Sequence, residues 1–323
     1  ERSGEISLGA LRKIASLVKQ GVYVYGNRPT GSPCKEDMGK DKEYEDLVSA
    51  LWNSEGYGKG KVFSGMTLDE ALQKACILPD VYGEKLYFAH RETNDCDIYF
   101  LNNHTDSIVS GLYTFKTKYQ YAQLWDAVSG KRYRLSADKG LVTLHLSPRE
   151  SCFVVFSNNN EQLDDKPLLK KRYIIDSKWT IDFNCRYQGV GQMECRKLEY
   201  WNKSEYSKIR YYSGTAVYKT SFEWKDAKTV FLQLPSNNCV TEVYINKQKT
   251  GIIWCSPWNL DVSPYLKKGN NELRLEVTNS WNNRAVGDLR LKQDKIIWKP
   301  ELFVSENSLL QDAGLQGDIM LIF

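Results

Sequence analysis

The 323-residue sequence predicts a mainly β protein in three parts. These are an N-terminal α/β remnant over residues 1–82, a small antiparallel β-sandwich over 83–158 and, beyond a linker at 159–171, a C-terminal jelly roll over 172–323. Three observations predict it. Apolar residues recur at helical spacing only near the N-terminus, the period falls to two from about Gly83, and the alternating runs are short and broken by Asn, Gly, Ser and Pro. A hydrophobic content of 41% over this length supports two or three separate cores, because single cores stop growing near roughly 250–300 residues.

In the first part Leu8, Leu11, Ala15 and Val18 share a helical stripe that Gly21 closes as a left-handed cap. VYVYG then supplies a short buried strand. A polar, turn-rich loop leads to helices at about Glu43 to Trp52 and Thr67 to Cys76. One strand with its helices cannot cover a sheet, so this part reads as the end of an α/β domain. DIYFLNN, SGLYTFKT, YAQLWDAVSG, YRLSAD, LVTLHLS and CFVVFSN are the strands of the small sandwich, and the charged NNNEQLDDKPLLKK suits a linker. Beyond it WTIDF, KIRYYSGTAVYKTSFEW, KTVFLQL, VTEVYINKQKTGIIW, NELRLEV and DIMLIF form the jelly roll, with Gly269 and Asn270 as a turn pair. Trp179, Tyr218, Phe222 and Tyr244 fall on alternating strand positions and are expected to be buried.

The 44 basic and 40 acidic residues are mixed along the chain, which does not imply nucleic acid. No apolar run reaches the ~20 residues that cross a bilayer, and no export signal opens the sequence. Eight cysteines show no metal-like spacing and are expected to be mostly reduced and buried, with a Cys185–Cys195 bridge open in an oxidising compartment. Three histidines argue against a His-based metal site, and no Walker loop, GxGxxG or GxSxG is present. No cofactor or metal is expected. Asn94, Asp95 and Asp97 are oxygen ligands in principle, but turn chemistry explains all three without a metal and is the preferred reading.

The most informative stretch is NSWNNRAVGDLRL, Asn279 to Leu291. Aromatic plates suit the C–H face of a pyranose, while amides, guanidinium and carboxylate suit its hydroxyls. A capped strand end whose polar side chains bond their own loop explains the same residues. Trp254 and Trp258 adjoin similar polar loops, so Trp254, Trp258, Trp281, Asn282, Asn283, Arg284 and Asp288 are the candidate carbohydrate-binding or domain-docking residues. Glycoside hydrolysis needs two carboxyl groups about 5–10 Å apart. Glu199, Asp261 and Asp288 are the carboxylates considered, and each has a plain structural reading, Asp261 as a turn cap. No catalytic residue is assigned.

HRETNDCDIYFLNN, LWDAVSGKRYRL, SCFVVF, WTIDF, IRYYSGTAVYKTSF and TEVYINKQKTGIIWCSPWNLDVSPYLKKGNNELRLEVTNSWNNRAVGD, in this order, resemble the C-terminal region of bacterial α-L-rhamnosidases of glycoside hydrolase family 106. GALRKIASLVKQGVYVYGNRPTGSP and GKGKVFSGMTLDEAL resemble the region after the barrel in that family. The resemblance implies a galactose-binding-like jelly roll and a periplasmic or secreted bacterial protein, part of a polypeptide that releases rhamnose from plant polysaccharide. It also implies that the catalytic carboxylates lie in a barrel absent from this sequence, and that His90 and Arg91 lie near where the small sandwich meets it. Two functions follow. The chain is the accessory part of such an enzyme, with the barrel and a plant-type oligo- or polysaccharide as partners, or a stand-alone carbohydrate-binding or surface interaction protein.

Overall fold

A computed structural model describes residues 4–53, 56–83, 86–183, 188, 190–225, 229–292 and 295–323. They fall into two compact units, Glu1–Asp80 and Val81–Phe323. In the first, helix α1 (Leu8–Gln20) begins at Ser7, whose hydroxyl accepts the Ala10 N–H, and ends at Gly21 with φ 117°. Its buried Leu8, Leu11, Ala15 and Val18 pack on Tyr44, Val48 and Leu51 of α2 (Asp41–Leu51), a contact that removes apolar area from water. Strand β1 (Tyr23–Tyr25) pairs in parallel with β2 (Lys61–Phe63). The expected burial of β1 does not hold, because in a two-stranded sheet only Val24 packs inward while Tyr23 and Tyr25 stay exposed. Helix α3 (Leu68–Lys74) starts with a reciprocal capping box between Thr67 and Glu70.

The second unit is built from antiparallel sheets. One has the order β3 (Val81–Tyr82), β6 (Val109–Phe115), β10 (Leu141–Leu146), β9 (Ala137–Asp138). The next has the order β4 (Tyr87–Glu92), β5 (Cys96–Asn102), β11 (Ser151–Ser157), β7 (Tyr121–Trp125), β8 (Arg132–Leu135). Their inward residues share one core, in which Tyr99 meets Phe115 and Phe156 edge-on. The polar stretch 159–171 is not a free tether. Arg132 grips Glu161, Arg134 grips Asp165 and Lys166 reaches the buried Glu150, so it is strapped along the small sandwich.

The larger sandwich faces a sheet ordered β12 (Arg172–Ile174), β21 (Met320–Ile322), β16 (Phe231–Gln233), β19 (Asn259–Asp261) against one ordered β14 (Gly191–Cys195), β13 (Trp179–Phe183), β15 (Thr215–Trp224), β20 (Gly269–Thr278), β17 (Val240–Ile245), β18 (Gln248–Ile253). Residues of both sheets, among them Trp179, Tyr218, Leu275, Leu232 and Leu321, form one core. Trp179, Tyr218 and Phe222 are buried as expected, but Tyr244 is not. Val243 and Ile245 take the inward positions on either side of it, so the period of two turns Tyr244 outward under the Arg274 guanidinium, 3.8 Å from the ring centroid. A single turn, α4 (Ser207–Arg210), delivers Tyr211 to the helix α5 (Asn282–Leu291).

Among the described cysteines only Cys152 and Cys239 are buried; Cys76 is exposed and Cys34, Cys96, Cys195 and Cys255 are intermediate. The expected burial therefore does not hold for most of them, because apolar neighbours along the chain do not by themselves place a thiol in the core. Cys185, and with it the bridge to Cys195, lies outside the described residues.

Candidate functional site

NSWNNRAVGDLRL is neither a strand end nor an open loop. From Asn282 it is α5, although Asn, Gly and Asp are poor helix formers. Tertiary bonds supply what propensity lacks. The Arg284 Nε donates to Asp288 Oδ1 at 2.7 Å, one helical turn on, with Nη2 in ion-pair contact at 2.5 Å, and Asp288 Oδ2 accepts the Ile296 and Ile297 N–H groups at 2.9 and 2.7 Å. The Arg284 N–H donates to Ser213 Oγ. Asn283 exchanges two 2.8 Å bonds with the Gln311 backbone, while Asn279 binds Gly214 N–H and Tyr212 C=O. Gly287 lets the helix approach Tyr211, since a Cβ there would lie 2.6 Å from the ring.

These polar groups are thus occupied by the chain itself. Asn283, Arg284 and Asp288 are buried, and the reading in which the motif's side chains bond their own surroundings describes them. Trp281 and Asn282 remain at the surface, Trp281 being 51% exposed. Trp281, Asn282 and Ala285 border an apolar recess of about 610 Å³ with Ile296, Ile297, Phe303 and Val304. Beside it in sequence Trp298, Leu302, Phe303 and Leu309 are each more than 70% exposed.

Trp254 sits elsewhere, in a cleft of about 550 Å³ between the β7–β8 hairpin and the β18–β19 segment. Trp258 holds a left-handed φ of 58° and packs against the larger core, which withdraws it from a ligand platform. Across the cleft Lys131 Nζ bonds Asp261 Oδ2 at 2.6 Å, a contact 130 residues apart that sequence spacing does not signal. Burial raises the Asp261 pKa, but the bonds from Lys131 and Ser263 outweigh it and hold the carboxyl below its ordinary value; the same bond raises Lys131. Asp261 Oδ1 also accepts from Ser263 N and Oγ, as its reading as a turn cap expects.

His90 stacks on Tyr99 at 4.1 Å and lies 3.4 Å from Asp97 Oδ1, while Asp97 Oδ2 accepts from Thr117 at 2.6 Å. Of the pair His90 and Arg91, only Arg91 is exposed. The three candidate carboxylates stand in unlike settings: Glu199 is exposed, Asp261 is paired with Lys131 and Asp288 is buried on α5 in a pair with Arg284. Among the described residues no three His, Cys, Asp or Glu side chains gather as a metal site, and no helix is long and apolar enough to cross a membrane.

Comparison with known proteins agrees with the fold. Residues 1–139 match the profile of glycoside hydrolase family 106, alpha-L-rhamnosidase. A rhamnosidase from Novosphingobium sp. PP1Y superposes on 99% of this chain with a TM-score of 0.80 and 28% identity. The chain is α-L-rhamnosidase-like. A Formosa agariphila protein named "Putative beta-glucuronidase" is 33% identical over 121 residues, 36% of this chain. The rhamnosidase-like chain spans 32% of the Novosphingobium protein, and its match to the Formosa protein spans 10% of that one. It is a glycosidase-related, mainly β chain with the sheet arrangement of a rhamnosidase segment.

Proposed function

We propose that this chain is the accessory part of an α-L-rhamnosidase-like glycoside hydrolase acting on plant polysaccharide, and that it braces the catalytic barrel. The observation that carries this is the apolar surface around α5. A recess lined by Trp281, Ile296, Ile297, Phe303 and Val304, with Trp298 and Leu302 standing in solvent beside it in sequence, is the kind of patch that soluble proteins cover. The knot of bonds from Arg284, Asp288 and Asn283 fixes the backbone beneath it, so the surface is presented in one shape. Arg91, exposed on the edge strand β4, belongs to the same role as a contact of the small sandwich, with His90 supporting it from within. A free-standing carbohydrate-binding protein is the second reading, and the cleft under Trp254 favours it.

Co-expression with a barrel-coding segment from the same reading frame tests the bracing role. The two pieces should copurify, Phe303→Asp and Trp281→Asp should separate them, and an aryl α-L-rhamnoside should be cleaved only when the barrel is present. Release of product by the 323-residue chain alone, or the absence of any association with the barrel, would overturn it.

A further inference from the structure

The cleft under Trp254 has the chemistry of a sugar site, and this stands apart from the bracing role. Its volume of about 550 Å³ lies in the range of small-ligand sites, about 300–1,000 Å³. The lining is amphipathic: Trp254, 56% exposed, with Tyr133, Phe231 and Tyr265 among its rings, and Asn259 and Thr250 among its polar groups. The charges are already satisfied. Lys131 is held by Asp261, and Asp126 accepts the Val128 N–H at 2.9 Å and the Ser129 hydroxyl at 2.6 Å. One cation against two carboxylates leaves the lining slightly negative, which opposes an anionic ligand. The uncharged donors differ. Among the described residues no hydrogen bond is made by the Tyr133 hydroxyl, the Asn259 amide or the Trp254 indole N–H, whereas Thr250 is spent on the Val243 carbonyl.

We propose that this cleft binds an uncharged pyranose, with the Trp254 ring against the C–H face and the Tyr133 hydroxyl and Asn259 amide bonding sugar hydroxyls. An aromatic face with a few convergent polar groups selects a ligand that is apolar on one side and hydroxylated at its edge. A uronic acid meets the paired Lys131 and the two carboxylates and is rejected. The ammonium, committed to Asp261, is not free to receive it.

The full chain is titrated with methyl α-L-rhamnoside, methyl β-D-galactoside and D-galacturonate, followed by tryptophan fluorescence and calorimetry. At least one neutral glycoside should saturate in the range of about 0.1–10 mM. Trp254→Ala should weaken it at least about tenfold and Asn259→Ala about fivefold, as loss of a stacking plate and of one hydrogen bond predict. Trp281→Ala should leave it unchanged. Trp254 is largely solvent-facing, so its replacement preserves the fold, which circular dichroism verifies. No saturation by either neutral glycoside up to about 50 mM, binding that survives Trp254→Ala, or galacturonate bound as tightly as the neutral sugars would each refute the proposal. The association of chain and barrel is read separately, so the two ideas fail independently.

Discussion

Asp288→Ala should be among the most damaging single substitutions in the larger unit. Asp288 is fully buried and Arg284 is 6% exposed, so truncation leaves a guanidinium without its partner in a site that water scarcely reaches. Breaking one side of a buried pair costs about 3–5 kcal/mol. The Ile296 and Ile297 N–H groups also lose their acceptor, but both residues are only half-buried and water takes part of its place. The expected loss is about 4 kcal/mol, and about half of that for Asp288→Asn, which keeps one acceptor oxygen. Eight of the nine tryptophans lie in Val81–Phe323, so tryptophan fluorescence follows that unit. At a urea slope of about 3 kcal/mol/M the midpoint falls by about 1.3 M. Replacing both partners by Met and Leu should cost less than the single change, because no charge is stranded. A midpoint shift below about 0.3 M for Asp288→Ala would mean that the pair does not hold the segment after α5.

Gly287→Ala should destabilise the same unit by about 1–3 kcal/mol through overpacking, since the added Cβ meets Tyr211 at 2.6 Å; Tyr211→Ala in the same chain should recover part of the loss, read by the same urea titration. The Lys131–Asp261 bond should contribute only about 0.2–1 kcal/mol, because Lys131 is 45% exposed. The Asp261 pKa is lower folded than unfolded, so its share is present above about pH 4 and lost as pH falls through the folded value; that of Lys131 is raised, so its share is present below about pH 10 and lost as pH rises through the folded value. The stability difference between the native chain and Asp261→Asn should therefore be flat at neutral pH and shrink in acid. In native alkylation followed by mass spectrometry Cys76 should label quickly, whereas Cys152, whose pKa burial and then Glu150 push up to about 12, should stay unlabelled until the chain unfolds.

The strands were legible because alternation is a local signal. NELRLEV places Leu273, Leu275 and Val277 on one face, and all three are buried in β20. Helix α1 was legible for the same reason, with its stripe and its Gly21 cap lying within fourteen residues. Helix α5 was not. Its sequence is rich in poor helix formers, and Arg284 before Asp288 is the weaker order for an i,i+4 pair, so local preference points away from a helix. What decides it comes from far away: Ser213, Ile296, Ile297 and Gln311 supply the partners. The one local cue was the four-residue spacing of Arg284 and Asp288 beside Ala285 and Val286, which are both buried. The cleft was half legible, since Trp254 stood out by its neighbours while Lys131, Tyr133 and Asn259 reach it only through tertiary folding.

Strand β21 lies between β12 and β16, so a segment near residue 321 joins one made near residue 173 to the rest of its sheet. During synthesis, then, the larger sandwich cannot close as its residues emerge one by one. β12 and β16 wait without the neighbour that unites them while the small sandwich, whose strand-to-strand ladders lie within 81–157, is already free to fold. The ribosome thus sets an order of assembly, and the longest-exposed intermediate is one whose half-built sheet offers bare edges to chaperones or to another chain.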